Sequence, residues 1–245
     1  MKEKTAILLS HDEENPFAQS TGDLMAGLLL VFVLILASTL LRLEDEFEQK
    51  VSFAEDYRLL REELYQDLNE EFKMDLPRWS AVLDRDTLSL RFTEPEVLFD
   101  QGKDAVKGRF SEIISDFFPR YVTILSSPKY KESIEEVRIE GHTSSEWTGK
   151  EDQEMAYFLN MELSQNRTRN VLRSSLATIG DPDLKDWVRS KITANGLSSS
   201  QLILKDGVEN KSASRRVEFR VRTNAEEKIA AFLERWRDSI QKESR

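Results

Sequence analysis

Asp23 stands at the leading edge of the longest apolar run in the chain, Leu24 to Leu41, which only Gly27, Ser38 and Thr39 interrupt. At helical rise this run covers roughly 27 Å, about enough to cross the hydrocarbon of a bilayer. A carboxylate at mid-depth costs on the order of 3 kcal/mol to insert, and less nearer the interface. Acids in such places are usually kept because a proton or an ion uses them. Burial disfavours the charged form, so a carboxylate at residue 23 is placed to bind and release a proton in turn. Ser20 and Thr21 offer hydroxyl oxygens that would ligate sodium together with Asp23, so the ion, H+ or Na+, stays open. The plainer alternative is that Asp23 caps the helix from the headgroup layer.

Only this stretch of the 245 residues is long and apolar enough to span, which predicts a single-pass protein. A cleavable signal peptide fits less well, because the run exceeds a typical h-region and carries an acid at its front. The expectation is an uncleaved anchor over 16–43, with a short cytoplasmic tail over 1–15 and a long exported remainder. The positive-inside rule adds little, since Lys2 and Lys4 share the tail with Glu3, Asp12, Glu13 and Glu14, and Arg42 opens the far side. The chain has no cysteine, which is compatible with an oxidising compartment. Its net charge is −10, and residues 44–76 hold twelve acids against four bases. That balance argues against nucleic acid as a partner.

After the span, residues 44–77 read as an acidic amphipathic linker helix. Phe53, Tyr57, Leu60, Leu64, Leu68 and Phe72 form one stripe that drifts too far for a long regular heptad, and Pro77 ends it. Its stripe is placed to pair with a copy of itself or to lie against its own globular domain, and the helix has two readings, a connector or plug near the membrane and a solvated helix with one packed face. Ala81–Leu83 and Leu88–Phe92 read as short strands around an Asp84-Arg85-Asp86 turn. Val106, Phe110, Ile113, Ile114, Phe117 and Phe118 fall at helical spacing, as does the stretch from Met161 to Ile179. Val137–Glu140 and Val217–Val221 alternate as strands. The fold class is therefore a single-pass transmembrane helix, a helical linker and an α+β domain with helices packed on a mixed sheet over 78–224. A further amphipathic helix is expected over 225–245. No glycine-rich phosphate loop, metal-ligand spacing or nucleophile–base pair is evident, so no enzyme, catalytic residue, metal or cofactor is expected. His142, with no second histidine or cysteine near it, is read as structural.

Four pieces carry a resemblance: Leu98-Phe99-Asp100-Gln101-Gly102-Lys103, Ile139-Glu140-Gly141-His142-Thr143, Asn160 to Arg167, and Arg215-Arg216-Val217-Glu218-Phe219. In this order, over roughly residues 79–224, they resemble the OmpA-like peptidoglycan-binding domain. The resemblance implies a periplasmic module that grips the diaminopimelate of the cell-wall peptide through Thr143, Ser144, Asn160, Leu163 and Arg167. Helical geometry agrees, since Asn160, Leu163 and Arg167 share one face and an arginine can take a carboxylate in a forked pair. Ser144 stands where the family carries an Asp for the ligand's ammonium; Glu146 is the nearby substitute.

Gly22 to Leu28, ahead of the aliphatic span, looks like the start of a MotB-type transmembrane helix. An acid there, before one span, a linker and an OmpA-like domain, is the layout of a rotary-stator B subunit. That resemblance implies a dimer of this chain inside a ring of five multi-span A subunits, with the ion passing Asp23. The acidic tail, Ser144 and the Asn160–Gln165 run look closer to the B subunits of Zorya anti-phage systems than to flagellar ones. A passive wall-to-membrane tether and an envelope sensor share much of this layout without ion flow.

Overall fold

The structure is a computed structural model that describes residues 16–149 and 152–224. The expected tail over 1–15 and the expected helix over 225–245 lie outside the described residues. The chain divides into two compact units, the second beginning at Tyr57. Helix α1 (Pro16–Phe72) supplies the described part of the first unit and the opening turns of the second. A proline at its start is well placed, since the first helical residue has no intrahelical use for its N–H.

In the first unit, Thr21–Glu44 contains an 18-residue apolar window of mean hydropathy 2.8, none of which is buried. Leu24, Leu28 and Phe32 each expose 60 % or more of their surface. The Thr39 hydroxyl donates to the carbonyls of Ile35 (2.6 Å) and Leu36 (3.0 Å), so this polar group is satisfied inside the apolar stretch. A helix of this kind is the type that lipid or a partner helix must cover.

The second unit continues with β1 (Ala81–Asp84), β2 (Ser89–Phe92), α2 (Pro95–Leu98), α3 (Gly108–Leu125), β3 (Ile134–His142), α4 (Gln153–Ala177), α5 (Pro182–Lys191) and β4 (Ile192–Gly196). A small hairpin of β5 (Leu204–Lys205) and β6 (Val208–Glu209) follows, then α6 (Lys211–Ser214) and β7 (Arg216–Thr223). The five-stranded sheet has the order β1-β2-β7-β3-β4. Its pairs are antiparallel except β3 with β4, which run parallel and are joined through α4 and α5. The expected mixed sheet with packed helices is thus present.

Alternation along the strands separates two faces. Leu90, Phe92, Val137, Ile139, Val217, Phe219 and Val221 point into the core, where Phe219 meets Phe117 at 5.1 Å and Tyr121 at 6.1 Å between ring centroids. On the other face lie Arg91, Glu140, His142, Arg216, Glu218 and Arg220, discussed below. α4 sits very close to the core face. A Cβ added at Gly196 would stand 2.3 Å from the Gln165 nitrogen, and one at Gly141 would stand 3.0 Å from the Ser164 carbonyl oxygen.

The second compact unit starts at Tyr57, so the last turns of α1 belong to it. Leu64, Leu68 and Phe72 are buried in the core, with Leu60 packed against it; the side chains of Phe53 and Tyr57 lie outside the described residues. Phe72 lies 5.3 Å from Phe117 and 5.8 Å from Trp79 between ring centroids, and the Arg120 guanidinium lies 4.9 Å from its ring centroid. The acids of this helix end are answered by bases of the domain. Glu62 pairs with Arg85 (2.7 Å), Asp67 with Lys129 (3.0 Å) and the Tyr130 hydroxyl (2.6 Å), and Glu71 with Arg120 (2.7 Å). The Tyr130 hydroxyl, more than Lys129, holds the Asp67 carboxyl below its usual range. Truncating Phe72→Ala is expected to cost about 3–5 kcal/mol in urea unfolding of the chain. A cost below 1 kcal/mol would place the helix end outside the cooperative unit.

Candidate functional site

Loops at one end of the sheet enclose a cavity of about 520 Å³. One wall is the segment after α2, with Phe99 and Asp100; another is the segment after β3, with Thr143, Ser144, Glu146 and Trp147. α4 supplies Asn160, Leu163 and Arg167, and Arg215 enters just before β7. The close seating of α4 on Gly141 and Gly196 fixes which of its residues reach these loops. Asp152 caps the helix by accepting from the backbone N–H groups of Glu154 (2.9 Å) and Met155 (3.4 Å).

Thr143, Ser144, Asn160, Leu163 and Arg167 therefore line one cavity. Asn160 is buried and donates its amide to the carbonyls of Ser144 (3.2 Å) and Glu146 (3.1 Å), which holds the loop in shape. Arg167 is half-buried and donates through Nε to the Lys103 carbonyl (2.8 Å) and through Nη2 to the Asp100 carbonyl (3.1 Å). Its guanidinium carbon lies 4.7 Å from the Phe99 ring centroid. Burial brings its pKa down to about 10, with Arg215 lowering it further and Asp104 opposing, so it stays charged near neutrality. A guanidinium has five N–H donors, and this one spends two on the loop. The remaining N–H groups suit a carboxylate ligand. Both residues thus bind the domain's own loops and also face the cavity.

Glu146 is exposed and its carboxylate is engaged by Lys211 at 2.5 Å. Phe99, Trp147 and Arg215 are cavity residues that the sequence reading does not select. Phe99 and Arg215 lie inside the quoted motifs, so a signal for them existed; for Trp147 the only cue is a large aromatic in a polar loop. Asp23, Ser20 and Thr21 lie on α1 in the other unit. Asp23 and Thr21 are exposed, and the side chain of Ser20 lies outside the described residues.

Beside this cavity, on the polar face of the sheet, Glu140, His142 and Glu218 bring potential ligand atoms within 4.8 Å of one another. A cation is poorly served there. Glu218 already accepts from Arg216 Nε (2.5 Å) and Arg91 Nε (3.0 Å), and Arg220 lies 3.2 Å from its second oxygen. The carboxylates and guanidiniums form an ion-pair network, and the His142 ring lies beside it at 3.8 Å from Glu140 and 3.9 Å from Glu218. Burial opposes the charge on Glu218, but Arg216 and Arg91 outweigh it and take the pKa down to about 2. Burial pushes the His142 pKa below its usual value, against the pull of Glu140.

No protein-family model matches the chain. It is 43% identical over 226 residues to the Zorya protein ZorB of Escherichia coli strain Crooks, covering 91% of this chain and 94% of that one. It is 25% identical over 220 residues to the Zorya protein ZorB of Escherichia coli O139:H28, covering 86% of this chain and 82% of that one. Among solved structures, a putative MotB like protein from Desulfovibrio vulgaris aligns with a TM-score of 0.47 at 21% identity, covering 66% of this chain and 94% of its own. The periplasmic domain of Helicobacter pylori MotB aligns with a TM-score of 0.41 at 20% identity, over 60% of this chain and 84% of its own.

The buried network makes stability depend on pH with a definite sign. The Glu218 contribution is complete above the unfolded value of 4.5 and is lost as pH falls toward about 2. His142 acts in the same direction, because below 6.5 the unfolded chain takes up a proton that the fold resists. Urea unfolding across pH is expected to show declining stability below 6.5, steepest below 4.5. Glu218→Gln is expected to cost about 3–5 kcal/mol at neutral pH and to flatten the acid limb. An acid limb unchanged in that variant would contradict the assignment.

Proposed function

The chain belongs to the Zorya protein ZorB family, and on that premise we propose that it is the B subunit of an ion-driven, stator-like rotary motor of the bacterial inner membrane, serving anti-phage defence. The observation that carries this reading is the pairing, in one chain, of an exposed apolar helix headed by Asp23 with a guanidinium-lined cavity in a separate unit. A wall tether needs the cavity but has no use for an acid at the front of the span.

In this reading the amino terminus is cytoplasmic and the second unit is periplasmic. The apolar helix pairs with a second copy inside a ring of five multi-span A subunits, which supply the cover that its exposed side chains lack. Asp23 carries the transported ion, H+ or Na+, with Ser20 and Thr21 as its neighbours. Neutral, its carboxyl rests against apolar or hydroxyl groups of the ring; ionised, it requires water or a polar partner. Alternation between these states on two copies biases the ring to step around the dimer. The cavity holds the dimer still by taking a carboxylate of peptidoglycan diaminopimelate on Arg167. The chain performs no catalysis and requires no metal or organic cofactor.

Asp23→Asn keeps the size of the side chain and removes its titratable charge. Membrane insertion and assembly are expected to be normal, with protection against phage lost in a plating assay. Full protection by that variant would remove Asp23 as the ion carrier and favour a passive tether. Arg167→Ala is expected to weaken retention of the full chain on purified cell wall by about tenfold or more. Unchanged retention would remove the cavity from the anchoring role.

A further inference from the structure

The chemistry lining the cavity is unevenly divided between donors and acceptors. Two guanidiniums face it. Arg167 keeps unspent N–H groups, and the Arg215 side chain has no hydrogen-bond or ion-pair partner among the described residues. The two are close enough for Arg215 to disfavour the charge on Arg167. The two acidic residues that line the cavity, Asp100 and Glu146, are already answered. Asp100 lies 3.3 Å from Lys103 and 3.5 Å from Lys107, and Glu146 lies 2.5 Å from Lys211. The carbonyls of Asp100, Lys103, Ser144 and Glu146 are also engaged, by Arg167 and Asn160. A ligand ammonium would meet two like charges and would have to displace a lysine to reach a carboxylate. A ligand carboxylate would meet ready donors.

We propose that this cavity recognises its ligand through carboxylate alone, with Arg215 as a second carboxylate-binding residue beside Arg167, and that acylation of the ligand's amine leaves binding unchanged. The inference rests on the reading of the cavity as the wall-binding site. It names the wall species accepted there: diaminopimelate whose side-chain amine is already acylated in a cross-link binds as well as diaminopimelate whose amine is free. Space permits this, since about 520 Å³ lies within the range that ligand sites much larger than one amino acid occupy. Trp147 supplies an apolar wall on the Glu146 side of the cavity, against which the added acyl group can lie.

The test uses the full chain in detergent micelles, titrated calorimetrically with two muropeptides. Both are the disaccharide tripeptide ending in meso-diaminopimelate; one has a free side-chain amine and the other has that amine acetylated. The dissociation constants are expected to agree within about threefold. Arg215→Ala is expected to weaken both by about tenfold or more, with the unfolding midpoint in urea unmoved because the side chain makes no hydrogen bond or ion pair among the described residues. Ser144→Asp, which adds an unpaired acid to the lining, is expected to tighten only the free-amine form. In the unaltered chain, a preference for the free amine of about tenfold or more overturns this inference and leaves wall binding intact. Failure of both muropeptides to bind overturns it together with the wall-binding reading. Undiminished binding of both by Arg215→Ala overturns the part assigned to Arg215.

Discussion

Helix α4 has almost no freedom in how it lies on the sheet. Its backbone at Ser164 and Gln165 rests where a side chain on Gly141 or Gly196 would otherwise be, and the Gln165 side chain fastens to β4 through the Ala194 carbonyl (3.2 Å) and the Gly196 N–H (2.8 Å). Contact at that depth sets the rotation of the helix as well as its height. Asn160 then falls under the loop after β3, and Arg167 falls under the segment after α2, one turn to either side of the contact. The cavity exists because two loops are tied to a helix that cannot shift. Alanine at either glycine would have to push the helix away, and the loops with it.

The sheet solves two different problems on its two faces. One is filled with aromatic and branched side chains under α3 and α4. The other carries a row of charges, several of them fully buried, which would be very costly if any were unpaired. Glu218 faces three guanidiniums, those of Arg91, Arg216 and Arg220, so no single contact decides its pairing, whereas Glu140 meets Arg220 at 3.3 Å. The same logic explains the strongly acidic end of α1. Its carboxylates look like solvated charge in the sequence, yet in the fold they meet Arg85, Arg120 and Lys129 from three separate parts of the domain. Each exposed pair contributes little alone. Together they orient a helix whose apolar stripe is already committed to the core.

Much of this was legible in the amino-acid pattern. The 3.6-residue spacing from Phe110 to Phe118 announces α3, and the alternation in Val137–Glu140 and Val217–Val221 announces the two central strands. The motif residues Thr143, Ser144, Asn160, Leu163 and Arg167 do converge on one cavity. β4 was not legible, because Ile192-Thr193-Ala194-Asn195-Gly196 offers little apolar alternation and owes its strand form to pairing with β3. The signals for α5 and the β5–β6 hairpin were there in local chemistry, as Asp181-Pro182 at a helix start and Asp206-Gly207 at a tight turn. The fate of Glu146 depends on Lys211, a residue far away in sequence, and no spacing rule reports that. One packed stripe on an acidic helix does not say what it packs against, and only the fold shows Leu64, Leu68 and Phe72 seated in the core of the domain.

The seating of Leu64, Leu68 and Phe72 has a mechanical meaning. These side chains stand in the core like the teeth of a key, and ion pairs grip the same helix from the β1–β2 turn, from α3 and from the segment after α3. A twisting load carried down these turns would be resisted by interlocked side chains, which fail only when the core itself opens. Backbone hydrogen bonds of a free linker would instead yield turn by turn. The entry of α1 into the domain is therefore a torsionally stiff coupling, and any compliance under load must be sought elsewhere in the chain.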